Sequence, residues 1–195
     1  MARFIAASLA CRQNRHPARR HPLPREQAMN SPQRIAHPLA PLFDARSRVL
    51  ILGTMPSPKS REAGFYYGNP QNRFWKVLAR LFDEEEPLGI TERSAFATAH
   101  RIALWDVLAS CTIDGASDAS IEDPIPNDLG SLACAAPLEA AFTTGTKAAS
   151  LYRRFQPPEL ASLPHIALPS TSPANARMSL DDLVAAYRPI VSYCG

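Results

Sequence analysis

The chain has 195 residues, of which 46% are hydrophobic, so it is long enough for one domain with a single substantial core. It has no run of about 18 apolar residues, which argues against a membrane-spanning helix. The formal charge of +3 comes from residues 1–28, which hold 6 of the 21 basic and 1 of the 18 acidic side chains. The remaining sequence is nearly neutral, so the overall charge does not indicate a basic nucleic-acid-binding surface over the whole protein.

Residues 1–28 are rich in arginine and poor in acidic side chains, as transit peptides are. The alternative is a disordered tail, or translation from an upstream start codon with Met29 as the natural start. We favour this alternative because residues 29–43 already lead into the first predicted strand. We therefore expect residues 1–36 to be a disordered or non-native extension and residues 37–195 to form the domain.

The four cysteines are widely separated along the chain, at Cys11, Cys111, Cys134 and Cys194. No two of them form a CxxC pair, so the sequence indicates neither a zinc site nor an iron–sulfur cluster. We expect no metal and no cofactor. Free thiols are typical of a protein in the reducing cytoplasm, which is the predicted location.

Predicted strands alternate with predicted helices from residue 48 onward. The run RVLIL is continuously apolar, as expected of a strand buried on both faces. Strands are predicted, in chain order, over residues 48–53, 101–108, 138–145 and 164–171. Helices are predicted over residues 71–83, 91–100, 146–155 and 179–193. Thr91 and Ser179 are the predicted N-caps of two helices, and Asp182 completes a variant of the capping box with Ser179.

This alternation predicts an α/β fold with three layers, in which helices cover both faces of a mainly parallel sheet of about four strands. Residues 109–137 are acidic and rich in turn residues, and we expect little regular structure there. In open α/β sheets, ligands bind beyond the carboxyl ends of the strands. The loops that follow the first and last predicted strands should therefore meet in one cleft.

The loop after the first strand, GTMPSPKSREAGFYYGNPQNRFW, has none of the glycine patterns that bind nucleotide phosphates. It combines aromatic rings with amides, at Phe65, Tyr66, Tyr67, Phe74, Asn69, Gln71 and Asn72. Rings that stack and amides that hydrogen-bond are the chemistry of nucleobase recognition. An aromatic residue at a helix start usually packs in the core, as we expect for Trp75. For Phe65 and Tyr66, core packing and contact with a ligand both stay open.

The loop after the last strand, LPSTSPANARMS, concentrates small hydroxyl and amide side chains. An ordinary connection that ends in a helix cap would explain it. Alternatively, Arg177 and the start of the last helix could bind a phosphate. Both interpretations stay open from the residues alone.

Taken together, the segments GFYYGNPQNRFW, ALWDVLASC and LPSTSPANA resemble the uracil-DNA glycosylase superfamily, and in particular its hypoxanthine- (deoxyinosine-) DNA glycosylase family. The resemblance extends over roughly residues 37–190. It implies a uracil-DNA glycosylase-like fold and a DNA repair enzyme. Such an enzyme flips a deaminated base, chiefly hypoxanthine, out of DNA and hydrolyses its N-glycosidic bond. DNA is then the expected partner, and we expect a monomer.

The resemblance also implies roles for individual residues. Many members of the superfamily have a catalytic Asn or Asp in the turn after the first strand, where this chain has Met55. The hypoxanthine branch lacks that polar residue too, and its favoured catalytic residue is the Asn at the following helix start. This residue corresponds to Asn72, with Asn69 as the second candidate. The residues expected to bind the base are Met55, Phe65, Tyr66, Asn69 and Phe74. Those expected to bind DNA are Ser57, Lys59, Ser170, Ser172, Asn175 and Arg177.

The nearly neutral charge of the sequence after residue 28 argues mildly against DNA binding, because DNA-binding proteins usually present positive charge. We expect basic residues to gather around the cleft, at Lys59, Arg61, Arg73, Lys76 and Arg177. For Asp106, near the end of the second strand, a polar contact in the cleft and a structural cap are equally open. The competing functions are a mismatch-specific uracil-DNA glycosylase, a DNA-binding protein without catalysis, and a small-molecule enzyme on the same fold.

Overall fold

Seven strands and seven α-helices make up the fold in the computed structural model, which describes residues 32–195. The strands are β1 (Gln33–Ala36), β2 (Val49–Gly53), β3 (Ile102–Asp106), β4 (Leu108–Ile113), β5 (Glu122–Pro126), β6 (Ala140–Thr144) and β7 (His165–Leu168). The helices are α1 (Pro58–Ala63), α2 (Phe74–Phe82), α3 (Ile90–Ala99), α4 (Leu129–Ala135), α5 (Thr146–Phe155), α6 (Leu180–Tyr187) and α7 (Val191–Cys194).

A four-stranded parallel sheet with the order β3-β2-β6-β7 forms the middle layer. Alternate residues of β2 point to opposite faces of this sheet. Val49 and Ile51 pack against α2, α3 and α6, whereas Leu50 and Leu52 pack against α4 and α5. Because helices cover both faces, every residue of β2 is buried, which explains the continuous apolar run. The predicted three-layer fold and its four parallel strands are confirmed.

A second sheet, antiparallel with the order β1-β4-β5, corrects two predictions. Residues 109–137, expected to lack regular structure, contain most of β4, all of β5 and α4. Their prolines suggested a loop, but Pro124 and Pro126 lie in the edge strand β5, where a missing backbone N–H is tolerated. Residues 33–36 belong to β1, so the domain begins before residue 37. The rest of the predicted extension, residues 1–31, lies outside the described residues.

Local signals explain where the other helices begin and end. Helix α1, which was not predicted, has Ser57 as its N-cap and ends at Gly64, whose φ of +67° suits glycine. Helix α3 begins at Ile90 rather than after Thr91, because Glu92 accepts hydrogen bonds from the N–H groups of Leu88 and Gly89.

None of the helices within residues 32–195 is long and apolar enough to cross a membrane.

The predicted capping box of the last long helix is confirmed. Ser179 Oγ accepts from the N–H of Asp182, and the Asp182 carboxylate accepts from the N–H of Ser179. Helix α6 ends at Tyr187, and Pro189 lies in the short 3-10 turn that follows.

Replacing Ser179 with alanine removes the acceptor for one N–H at the start of α6. We expect the free energy of unfolding to fall by about 1 kcal/mol. Urea denaturation of the variant and the wild type measures this change. Ser179→Asp keeps an acceptor at the N-cap and is expected to stay close to the wild type, so an equal loss in both variants would contradict the capping role.

Candidate functional site

A cavity of about 900 Å³ opens at the carboxyl ends of β2, β3 and β6, which is within the usual range for small-ligand sites. The loops after β2 and β7 both line it, as predicted from the parallel topology. The residues that line the cavity include Met55, Ser57, Tyr66, Tyr67, Asn69, Asn72, Asp106, Asp118, Thr144, Ser170, Ser172, Asn175 and Arg177.

The amide of Asn72 is held in one orientation. Its Oδ1 accepts from the backbone N–H of Phe74 at 3.0 Å and from Thr171 Oγ1 at 2.8 Å. A backbone N–H can only donate, so the oxygen must face α2 and the Nδ2 group must face the other way. Both lone pairs of Oδ1 are then used. Since Asn72 lines the cavity, the group that it offers to a ligand is the Nδ2 donor pair.

Tyr67 forms an aromatic wall of the cavity and has an unusual backbone. Its φ is +51°, which is rare for an aromatic residue and is found mainly where the surrounding structure enforces it. One face of the ring stacks on Phe74, with 3.6 Å between ring centroids. Its hydroxyl shares a hydrogen bond with Thr144 Oγ1 at 3.1 Å. Burial, and then the charge of Asp106, raise the pKa of Tyr67, so its hydroxyl stays protonated.

Tyr66 also lines the cavity, but its hydroxyl points away from it and donates to the carbonyl of Ala40. Burial raises the pKa of Tyr66 as well. The Tyr66 carbonyl accepts from Nε1 of Trp75, which is 1% exposed. The prediction that Trp75 packs in the core is therefore confirmed.

Phe65 and Phe74 do not line the cavity, contrary to what the sequence led us to expect. Phe65 is 8% exposed and stacks on Trp75, and Phe74 is fully buried beneath Tyr67. Phe74 lies in the core because α2 turns its first residues toward the parallel sheet, and Phe65 joins the core by packing on Trp75 of the same helix. Within residues 32–195, the aromatic residues that line the cavity are Tyr66 and Tyr67, and Tyr66 is 3% exposed.

Asp106 is the buried carboxylate of the cavity. Gly53 and Asp106 are partners at the carboxyl ends of β2 and β3. Asp106 Oδ2 lies 2.8 Å from Nε2 of His37, which comes from the segment after β1. The sequence left open whether Asp106 is a polar contact or a cap, and its position in the cavity favours a contact.

A second carboxylate, Asp118, was missed from the sequence because it lies in the segment that we expected to be a loop. Its Oδ2 accepts a hydrogen bond from Thr54 Oγ1 at 2.9 Å. Ile113, the last residue of β4, and residues 115–118 form part of the cavity lining. Desolvation raises the pKa of Asp118, and the charge of Asp106 adds to this rise.

The loop after β7, which we call the 170–178 loop, presents hydroxyl groups to the cavity. Ser170 Oγ accepts from the N–H of Ser172, and Ser172 Oγ accepts from the N–H of Ala174. Each hydroxyl therefore keeps its own hydrogen for donation to a ligand. The Asn175 amide is used within the loop, where its Nδ2 donates to the carbonyl of Ser170.

Basic side chains surround the cavity less completely than predicted. Arg61 and Arg177 line it. Arg73 donates instead to carbonyl groups of the 170–178 loop. Lys59 lines a separate shallow groove on α1, and Lys76 is exposed on α2. The prediction is therefore wrong for Lys59 and Lys76, because α1 and α2 turn these side chains away from the cavity. It is also wrong for Arg73, because carbonyl groups of the 170–178 loop bind its guanidinium.

Asn69 and Ser57 both belong to the cavity wall and both stabilise local turns. Asn69 Oδ1 accepts from the N–H of Gln71, and the Asn69 carbonyl accepts from the N–H of Asn72. Ser57 Oγ accepts from the N–H of Ser60 at the start of α1. These bonds hold the loop after β2 in shape, so the direction of the Asn72 side chain is fixed by its surroundings.

A family model described as the uracil DNA glycosylase superfamily matches residues 40–190. The chain belongs to this superfamily. It is 30% identical over 141 residues to the "Hypoxanthine DNA glycosylase" of Methanosarcina acetivorans. That alignment covers 71% of this chain and 87% of the relative. It is also 31% identical over 109 residues to the protein of the same name from Methanosarcina barkeri. This second alignment covers 55% of this chain and 69% of the relative.

Solved structures agree with this assignment. The solution NMR structure of a candidate uracil DNA glycosylase from Methanosarcina acetivorans aligns with a TM-score of 0.66 and 29% sequence identity. The alignment covers 78% of this chain and 96% of that one. The predicted superfamily, with its hypoxanthine DNA glycosylase branch, and the predicted glycosylase fold are both confirmed.

Proposed function

We propose that this protein removes hypoxanthine from DNA by hydrolysing the N-glycosidic bond of deoxyinosine. The observation that carries the proposal is the fixed orientation of Asn72, which presents a donor pair to a cavity that also contains Tyr67 and Asp106. The printed names of the two Methanosarcina relatives support the choice of base. Met55 supports it further, because a thioether in the turn after β2 cannot position an attacking water as a carboxylate or amide can.

The target nucleotide must leave the duplex, since its glycosidic bond is out of reach inside the base stack. The cavity can take up a flipped base, and the exposed face of Tyr67 offers a surface for it to stack on. Residues Met55 and Asn69 line the same space. Stacking on aromatic rings contributes roughly 1–3 kcal/mol per base in nucleic-acid-binding proteins.

Cleavage of the glycosidic bond leaves negative charge on the departing purine and positive character on the sugar. Asn72 Nδ2 donates a hydrogen bond to an acceptor atom of the base, and this bond strengthens as the charge develops. Asn72 does not activate the attacking water, because both lone pairs of its Oδ1 are already used. Asn72 therefore acts on the leaving group.

DNA is held by the rim of the cavity. Ser170 and Ser172 donate from their hydroxyl groups to backbone phosphates, and Arg61 and Arg177 supply positive charge. Residues 175–178 approach the gap that the flipped nucleotide leaves in the duplex. Contacts of this kind fix the register of the protein without reading the sequence of the DNA.

The proposed function is tested by single-turnover assays on duplexes that differ only in one base: hypoxanthine, uracil or an undamaged purine. We expect hypoxanthine to be released at least about tenfold faster than uracil. Faster release of uracil would instead identify a mismatch-specific uracil enzyme. Tight binding to the hypoxanthine duplex without any base release would identify a DNA-binding protein that has no catalytic activity.

We infer further that the enzyme is monomeric and cytoplasmic. Cys111, Cys134 and Cys194 are free thiols, which supports a reducing compartment. Sedimentation velocity of the full chain tests the monomeric state.

A further inference from the structure

Asp106 Oδ1 is an acceptor at the cavity to which none of the residues 32–195 donates a hydrogen bond. The residue is 5% exposed and lines the cavity. Within residues 32–195, the side-chain hydrogen bonds at Asp106 are those of Oδ2 with His37 and of its carbonyl with Asn127, and Oδ1 forms none. Oδ1 is not among the fully buried atoms that lack a partner, so it is open to the cavity, where a ligand can supply the donor.

His37 fixes the role of the other carboxylate oxygen. The Nδ1 atom of His37 accepts from the backbone N–H of Leu39, so the ring proton must be on Nε2. Nε2 then donates to Asp106 Oδ2 at 2.8 Å, and the His37 side chain is 2% exposed. One oxygen of Asp106 is thereby held from inside the protein, which leaves Oδ1 for the cavity.

Gly53 gives Oδ1 the space that it occupies. A Cβ atom at position 53 would lie 2.2 Å from Asp106 Oδ1, far inside contact distance. The same Cβ would be 3.8 Å from the hydroxyl of Tyr67, so Oδ1 and the tyrosine that forms the aromatic wall both lie next to Gly53. A side chain at position 53 would therefore displace the carboxylate from its place beside Tyr67.

We propose that Asp106 Oδ1 selects the base by accepting the N1–H of flipped hypoxanthine, an assignment that rests on the proposed function. A carboxylate can only accept hydrogen bonds. Hypoxanthine has a hydrogen on N1, whereas adenine has a lone pair there. Adenine would bring this lone pair against the carboxylate oxygen and would leave Oδ1 buried and unpaired. Sites built around one hydrogen bond discriminate strongly against analogues that lack it.

The competing role for Asp106 is that of a general base for the attacking water. The two roles differ in what happens to a base that has no N1–H. If Asp106 accepts the N1–H of the base, the enzyme distinguishes hypoxanthine from purine, which has no hydrogen on N1. A general base accelerates the loss of both bases equally, because it acts on the water.

The test compares single-turnover release of hypoxanthine and of purine from otherwise identical duplexes by the full chain. In the wild type, hypoxanthine is expected to leave faster than purine. In Asp106→Asn, whose amide can rotate to donate, this preference is expected to fall at least about tenfold. Gly53→Ala, which displaces Oδ1 without removing the charge, is expected to reduce the preference in the same direction. Asp123→Asn alters an exposed acid outside the cavity lining and is expected to keep the wild-type preference.

Three results would overturn the assignment. The first is an equal loss of both rates in Asp106→Asn, which would make Asp106 a general base. The second is a wild-type enzyme that releases purine as fast as hypoxanthine, and this measurement needs no variant. If the wild type released no base from any duplex, the proposed function itself would fail. The third result is release of both bases by Asp106→Asn at the wild-type rates, and like the first two it would count against the Asp106 assignment alone.

Discussion

Replacing Asn72 by aspartate is expected to lower the single-turnover rate of hypoxanthine release by roughly a hundred- to a thousandfold, with the fold intact. Aspartate keeps an oxygen in the place of Oδ1, so the bonds from the Phe74 N–H and Thr171 Oγ1 can persist. The group that faces the cavity changes from a donor to an acceptor. A carboxylate in this position opposes the negative charge that develops on the departing purine.

Asn72→Ala provides the comparison for this variant. It removes the donor as well, so a similar loss of rate is expected. It also removes the acceptor of the Phe74 N–H at the start of α2, and the free energy of unfolding should fall by about 1 kcal/mol. Urea denaturation separates this cost from the effect on catalysis, because Asn72→Asp is expected to stay nearer the wild type.

The two variants also distinguish donation to the base from activation of water. Aspartate is a better general base than an amide, so Asn72→Asp would keep or gain activity if position 72 activated the water. A rate for Asn72→Asp near that of the wild type would therefore rule out donation to the base. Equal and complete activity in both variants would remove Asn72 from the mechanism altogether.

The sequence predicted the central sheet well because its strands are short apolar runs between amphipathic helices. The rule that ligands bind beyond the carboxyl ends of parallel strands also brought the loops after β2 and β7 together. Both inferences depend only on local pattern and topology.

The side chains that complete the cavity could not be predicted in the same way. His37 and Asp106 are 69 positions apart, and no periodicity connects them. The positive φ of Tyr67 changes the direction of the chain within the aromatic stretch, so spacing could not show which ring faces the cavity. The strand β5 was hidden by its prolines, and with it the path that brings Asp118 to the cavity.

The nearly neutral charge of the body remains compatible with DNA binding in this arrangement. Of the residues that the structure describes, Arg61 and Arg177 are the basic ones that line the cavity. Hydroxyl groups of the 170–178 loop add neutral donors. A site of this composition relies on a few charges close to the DNA, supplemented by hydrogen bonds, and needs no extended basic face.

Arg73 is expected to matter through the 170–178 loop, and its replacement by alanine should both destabilise the protein and slow catalysis. Its guanidinium donates to the carbonyl groups of Ser172, Asn175 and Met178. Its backbone N–H donates to the carbonyl of Thr171. One residue at the start of α2 thus holds the loop that carries Ser170, and it sits directly after Asn72 in the chain.

We expect Arg73→Ala to lower the free energy of unfolding by about 2–4 kcal/mol, because hydrogen bonds from a charged donor contribute roughly 1.5–3 kcal/mol each and the loop relaxes in part. Arg73→Lys should fall between this variant and the wild type, since an ammonium group cannot match the planar fork of guanidinium. Arg80→Ala is the matched control on the same helix. Arg80 pairs with Asp181 at the surface, and its loss should cost less than about 1 kcal/mol.

The salt dependence of DNA binding decides between this structural role and a direct phosphate contact. A residue that binds a phosphate contributes to the slope of affinity against salt concentration, and its removal lowers that slope by about one. Arg73 points into its own loop, so Arg73→Ala should weaken binding by a similar factor at low and high salt. Arg177→Ala, at the rim of the cavity, should lower the slope. A lower slope in Arg73→Ala with unchanged stability would show that Arg73 contacts DNA and does not hold the loop.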